Sequence, residues 1–457
     1  MYPVPRTNWA HAPWLLLDSG DLLTERAQAT EEGRDLTGVA AEFEALAGLD
    51  LAVEGHQRRA EALLDRIGTL PLVSGYPYRE PSELALIRAE RPAPVDLDAC
   101  ALRDADLYDK ALGGWLGRAA GCLLGKPAEG RRSYQIRRYL ESQDQWPLSD
   151  YFSRAADPAL ARECGFNLAA TGLYREGICC MVEDDDTNYT VTGLAIVERR
   201  GRDFTPADVA RCWLGELPIF HVCTAERVAY RNLVAGIGPP ESARVRNVYR
   251  EWIGAQIRAD FFGYVNPGDP ERAAEYAWRD ACISHVRNGI YGEMWMAAML
   301  AAAYVCDDLE TVMRAGLAQV PADCRLAERL HGVLQRRRQG LSREAALGYV
   351  TQRWDEHQRH DWCHTIANAE LVAIALLWGE GDYEQTICGA VMPGFDTDCN
   401  GASAGSVLGV MLGARRLPAK WTAPLQDTLL TGVSGYHRVA LSAMAARTVE
   451  LIARDRR

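Results

Sequence analysis

Apolar positions along the chain recur with helical rather than strand period. Four segments, Glu31–Leu46, Leu51–Ile67, Glu271–His285 and Arg343–Arg353, place apolar residues three and four apart with charged residues between them. The spacing predicts an amphipathic helix over each, closed by charged ends and by Gly or Pro breaks. Runs of alternating Val, Ile and Thr between turn signals are scarce, so the fold class read from the pattern is all-α, a compact multi-helix bundle. Two further segments carry a different period. Gly113, Gly117, Gly121 and Gly125 recur every fourth residue, as do Gly401, Gly405, Gly409 and Gly413. Residues four apart line one helix face, so each segment offers a strip without side chains. Each glycine costs a helix about 1 kcal/mol relative to alanine. Close approach of a neighbouring backbone is the simplest compensation, which predicts two central helices packed against each other.

The pattern also divides the chain. Residues 68–105, from Gly68-Thr-Leu-Pro through Arg91-Pro-Ala-Pro-Val, are rich in Pro, Tyr and Gly and read as an extended connector. Residues 1–105 are therefore expected to form an N-terminal helical extension and linker, and residues 106–457 the main domain. Arg131–Glu176 is less regular and reads as an insertion near the site.

Composition narrows the function classes. A chain of 457 residues that is 48% hydrophobic can bury a large core. Its net charge of −12 and pI near 5.4 argue against nucleic-acid or anionic-membrane partners, which favour a basic face. The longest apolar stretch, Met294–Val305, is too short to span a bilayer, and the first residues lack a secretory pattern. Thirteen cysteines without metal-type spacing point to free thiols in a reducing, cytoplasmic setting. The adjacent Cys179-Cys180 pair is expected to serve packing. Charge and composition leave the oligomeric state open.

Candidate chemistry concentrates in two acidic segments. Glu183-Asp184-Asp185-Asp186-Thr187-Asn188 precedes an apolar segment, and Asp396-Thr397-Asp398-Cys399-Asn400 opens the second glycine helix. Taken alone, the first is also what a solvated helix N-terminus looks like. The second lies between an apolar run and a small-residue helix, where its carboxylates approach buried surface. Carboxylates crowded there repel one another unless protonated or bound to a cation. Oxygen ligands in that number suit Mg²⁺, Mn²⁺ or Ca²⁺ better than Zn²⁺.

On these residues the sequence resembles the ADP-ribosylglycohydrolase family, which has a Thr-Asp-Asp-Thr segment and a distant Asp-x-Asp-Thr/Ser-Asn segment. Asp184-Asp185-Asp186-Thr187 lies on the first and Asp396–Asn400 on the second. Gly117–Glu129 is similar to the family's Gly-rich first helix and its following glutamate. Gly254–Arg258 and Ser284-His285 resemble two further signatures. The resemblance spans roughly Tyr108–Ala414. It implies a compact all-α bundle of that family's type and two divalent cations, Mg²⁺ first among them and Mn²⁺ or Ca²⁺ as alternatives. Their ligands would be Asp184, Asp185, Asp186, Asp396, Asp398 and Cys399. It also implies Glu129 and Asp186 as acid or base, and Asn188, Arg258, His285 and Asn400 around the substrate. The aromatic stretch Asp260–Tyr264 is a candidate for ring stacking or for core packing.

Four positions depart from that pattern. Asp184 stands where the family has threonine, Cys399 where it has Thr or Ser, Cys122 where an aspartate is frequent, and Ile253 where an asparagine is common. The expected function is metal-dependent cleavage of the glycosidic bond of an ADP-ribosyl or related ribosyl substrate, a small N- or O-riboside in particular. The alternatives are a catalytically silent ADP-ribose- or nucleotide-binding protein of the same fold and a two-metal phosphohydrolase. The latter is disfavoured in the sequence by the lack of a basic phosphate clamp near either cluster.

Overall fold

The computed structural model describes residues 13–97 and 104–455. Among them the regular structure is helical, apart from one two-stranded antiparallel hairpin pairing Thr428–Leu430 with Arg438–Ala440. The all-α expectation holds. No helix among the described residues is long and apolar enough to cross a membrane.

The first three helices are Ser19–Glu31, Ala40–Ala47 and Glu54–Ile67. The continuous helix expected over Glu31–Leu46 is thus confined to its second half, from Ala40 on. Gly33 adopts φ +72°, and a Cβ there would lie 2.2 Å from the Tyr76 ring. Only glycine tolerates both demands, so the chain turns there, and Arg34 bridges to Leu72. The other predicted helices stand at Glu54–Ile67, Pro270–Ala281 and Arg343–Thr351, each two to four residues shorter at one end, and the second begins one residue earlier. The connector is extended except for Leu84–Glu90, and its residues 98–103 lie outside the described part.

The extension is tied to the body by buried charge. Arg250 reaches Glu25 and Glu32 at 2.6 and 2.7 Å. Arg325 reaches Glu80 and Glu251 at 2.9 and 2.7 Å, and the Gln28 amide donates to Glu251 at 2.7 Å. The connector adds backbone bonds, Arg79 N–H to the Asp323 carbonyl and the Ala322 N–H to the Glu90 carbonyl.

At the centre, helix Asp104–Gly125 packs antiparallel on helix Thr397–Leu412 along the glycine strips. A Cβ on Gly113, Gly117 or Gly121 would fall 2.0–2.2 Å from the carbonyl oxygens of Gly409, Gly405 and Gly401. The reciprocal glycines meet Gly113, Gly117 and Gly121 at 2.2–2.4 Å. No side chain fits between the two backbones. Gly125 meets the Thr397 carbonyl in the same way, whereas Gly413 ends the second helix as a cap with φ +77°. Helices Asn288–Ala303 and Thr365–Gly379 are buried on every face and complete the core. Phe261, Phe262 and Tyr264 are fully buried too, so that aromatic stretch packs the interior. Cys179 is exposed and Cys180 partly so, and the expectation that this pair serves packing fails.

Candidate metal centre

Helix Asp185–Arg200 begins with Asp184, whose Oδ1 accepts the Asp186 backbone N–H at 2.9 Å. An aspartate at this cap satisfies an otherwise unpaired donor and suits the positive end of the helix dipole. Helix Thr397–Leu412 starts in the same place with Asp396 as its first flanking residue. The glycine contact sets the end of helix Asp104–Gly125 against the second start, where the Thr397 hydroxyl donates to the Gly125 carbonyl at 2.9 Å. The same helix reaches the first start through Arg118, which donates to Asp186.

Two tight groupings result. Cys122, Asp184 and Asp186 have donor atoms within 4.8 Å of one another, and so do Asp186, Asp398 and Cys399. Asp186 belongs to both. Asp184, Asp186 and Asp398 are buried, and Asp398 Oδ1 has no hydrogen-bond partner. Asp185 is partly buried and Asp396 buried, but among the described residues neither joins these groupings. Asp396 Oδ2 instead faces the Cys363 thiol at 3.6 Å, and its backbone N–H donates to Asn368.

Two cations reach the carboxylates. The Arg118 guanidinium, fully buried, donates to Asp186 Oδ1 at 3.0 Å and to Asp260 Oδ2 at 2.7 Å. Lys126 follows Gly125, and its Nζ lies 2.5 Å from Asp184 Oδ2, 2.7 Å from Glu129 Oε2 and 3.1 Å from Asp398 Oδ2. The sequence reading found no basic phosphate clamp near either cluster, and Lys126 is a basic group that it did not single out there. This lysine is nonetheless occupied by carboxylates, not held open for a phosphate.

The electrostatics reflect crowding. Burial pushes the Asp186 carboxyl well above its ordinary value despite Arg118, and burial with Asp398 does the same to Asp396. Burial also opposes ionisation of Asp184, but the Lys126 ammonium and the Asp186 N–H outweigh it and hold this carboxyl below its usual range. Glu129 is pushed up to about 8 by the Asp398 carboxylate first and by burial second. Its side chain is 42% exposed, so it stands at the outer rim of the cluster. The thiols of Cys399 and Cys122 are driven upward by burial and by the aspartates, and stay protonated. A neutral thiol is a poor ligand for a hard cation. The unpartnered Asp398 Oδ1, beside the oxygens of Asp186 and Asp184, fits a divalent cation of the Mg²⁺, Mn²⁺ or Ca²⁺ type.

The remaining predicted residues lie elsewhere. Arg258 is buried, with its donors on Glu226 at 2.5 Å and on Asp280, and Glu293 at 3.6 Å. It is therefore a hub for buried carboxylates, with no donor face left for a substrate. His285 bonds the Ser284 hydroxyl at 2.9 Å and lines a cleft of about 330 Å³ with Leu84, Pro239, Trp278 and Ile290. That lining shares no residue with the aspartate groupings. Asn188 accepts the Gly432 N–H at 2.9 Å, and the Asn400 amide donates to Asn368 at 2.8 Å. Both asparagines brace the loops around the cluster.

A third grouping of metal-ligand type, Glu31 with His360 and His364, lies at the seam with the extension. The Trp252 indole N–H donates to His360 Nδ1 at 3.2 Å, and the Ile366 N–H to His364 Nδ1 at 3.1 Å. Both imidazoles therefore carry their proton on Nε2, facing Glu31 at 3.7 and 3.5 Å. A neutral histidine ligating through Nε2 needs its proton on Nδ1, so in this arrangement neither ring presents Nε2 as a ligand.

Sequence reasoning passed over Lys126, Arg118 and Glu226. The signal for Arg118 was available: an arginine inside a helix of small residues has to find buried acids.

A family model described as ADP-ribosylglycohydrolase matches residues 103–457. A solved structure titled "ADP-ribosylglycohydrolase-related protein complex" is similar over 76% of this chain and 99% of its own, at 19% identity and a TM-score of 0.47. No curated protein matches the sequence.

Proposed function

The chain belongs to the ADP-ribosylglycohydrolase family, and from that premise we propose that it is a divalent-metal-dependent hydrolase of a glycosidic bond in a small N- or O-riboside. The observation that carries this reading is the pair of buried groupings, Cys122 with Asp184 and Asp186 and Cys399 with Asp186 and Asp398, which share Asp186 and leave Asp398 Oδ1 without a partner. Glu129 stands beside these groupings with its carboxyl partly in solvent.

Cleavage at the anomeric carbon of a riboside passes through an oxocarbenium-like state and needs an acid or base and an oriented water. A divalent cation bound by Asp186 and Asp398 supplies polarisation of vicinal ribose hydroxyls and of water. Glu129, at the rim, exchanges the proton with the leaving group or the attacking water. Arg118 fixes Asp186 through Oδ1, which leaves its second oxygen free for ligation. Asn188 and Asn400 keep the surrounding loops in register. The cis-diol requirement favours a free riboside over a deoxy sugar, and a chain rich in thiols suits a reducing, cytoplasmic setting.

The test is incubation with free ribosides, their 2′-deoxy analogues, NAD-related compounds and ADP-ribosylated protein, with product analysis. Release of the aglycone from a free riboside, much slower from its 2′-deoxy analogue, is expected. Efficient release of ADP-ribose from modified protein with no turnover of any free riboside would overturn the choice of substrate.

A further inference from the structure

Among the described residues Lys126 is the one ammonium that touches both aspartate segments at once. An ammonium has three N–H donors, and here three carboxylates stand within reach: Asp184 at 2.5 Å, Glu129 at 2.7 Å and Asp398 at 3.1 Å. Its position follows from the fold. Gly125 sits against the Thr397 carbonyl, the next turn is stiffened by Pro127, and the lysine stem has only a short way to run. The side chain is 23% exposed, so most of it is sheltered between the two helix starts.

A divalent cation shared by Asp184 Oδ2 and Asp398 Oδ2 would lie about 2.0–2.6 Å from each oxygen. That is the space the ammonium fills, and a divalent ion beside a fixed positive charge meets both steric exclusion and repulsion. What remains on the other side is the unpartnered Asp398 Oδ1 and the second oxygen of Asp186, facing the Cys122 thiol at 4.0 Å. These suit one ion. The family resemblance implies two.

We propose that Lys126 takes the place of one of the two cations, so that the centre binds a single divalent ion and the lysine serves as the permanent second positive charge. This rests on reading the aspartates as a metal centre. Lys126 is then a positioning residue: it holds Asp184, Glu129 and Asp398 together whether or not an ion is present.

The experiment is Mn²⁺ titration of the full chain after chelation, read by native mass spectrometry and by electron paramagnetic resonance, for wild type, Lys126→Met and Lys126→Arg. The wild type is expected to bind one Mn²⁺ with an uncoupled six-line spectrum, and Lys126→Arg likewise. Lys126→Met is expected to bind two, with an exchange-coupled spectrum of ions a few ångströms apart. Two coupled ions in the wild type would overturn the proposal while leaving the metal centre standing. One ion in both wild type and Lys126→Met would deny the lysine its role. No Mn²⁺ in any of them would remove the metal centre itself, and the inference with it. Two ions in the wild type overturn the proposal even if the methionine variant does not fold.

Discussion

At the seam between the extension and the body, Glu25, Glu31, Glu32, Glu80 and Glu251 face Arg250, Arg287, Arg325 and the imidazoles of His360 and His364. At the starts of helices Asp185–Arg200 and Thr397–Leu412, Asp184, Asp185, Asp186, Asp396, Asp398 and Glu129 gather with Lys126 and Arg118, the latter shared with Asp260. Both regions bury carboxylates, yet the seam meets five of them with three arginines and two imidazoles, often through paired guanidinium bonds, where the helix starts meet six with two cations. The helix starts leave acidic charge in excess and a carboxylate oxygen unpaired. A closed set of ion pairs is what structure requires, and an unbalanced one is what a bound cation requires. Excess charge, rather than acidity as such, distinguishes the centre.

The comparison predicts opposite responses to mutation. Asp398→Asn should cost turnover and metal affinity about 100-fold or more, since losing a ligand exceeds the loss of an outer partner. In chelator its stability should be equal to or above wild type, because one repelling carboxylate is gone. Riboside assays and thermal unfolding in chelator check both halves. Arg325→Met should behave in reverse, costing about 3–5 kcal/mol in denaturant unfolding by stranding Glu80 and Glu251. Its Mn²⁺ stoichiometry in the folded state should be unchanged. The smallest effect is expected for Asp184→Thr. Threonine also caps a helix, so the change in unfolding free energy should stay near ~0.5 kcal/mol, and Mn²⁺ affinity should fall far less than in Asp398→Asn. Equal loss of metal in the two variants would erase the distinction drawn between Asp184 and Asp398.

Legibility in the sequence followed the same division. The four-residue glycine period announced the helix contact because its meaning is local: a strip without side chains has few uses other than close packing. The two acidic segments were visible for a similar reason, each opening a helix. The seam was not legible. Glu25, Glu31 and Glu32 look like a solvated face until the body's Arg250 and Arg325 are placed against them, more than two hundred residues away. Lys126 was hidden otherwise. It stands in plain sight after Gly125, but only the helix contact shows that its stem ends between two segments remote in sequence. Arg258 misled because motif position says nothing about which partners exhaust a side chain's donors, and His285 because it does not say which cleft a side chain lines.

The most direct measurement is anomalous diffraction from crystals of the full chain soaked in Mn²⁺. The account predicts a peak within ligand distance of Asp186 and Asp398, about 2.0–2.3 Å from their oxygens, and none beside Glu31, His360 and His364. A peak at the histidine seam, or none beside Asp398, would contradict the claim that excess carboxylate charge at the helix starts marks the working centre.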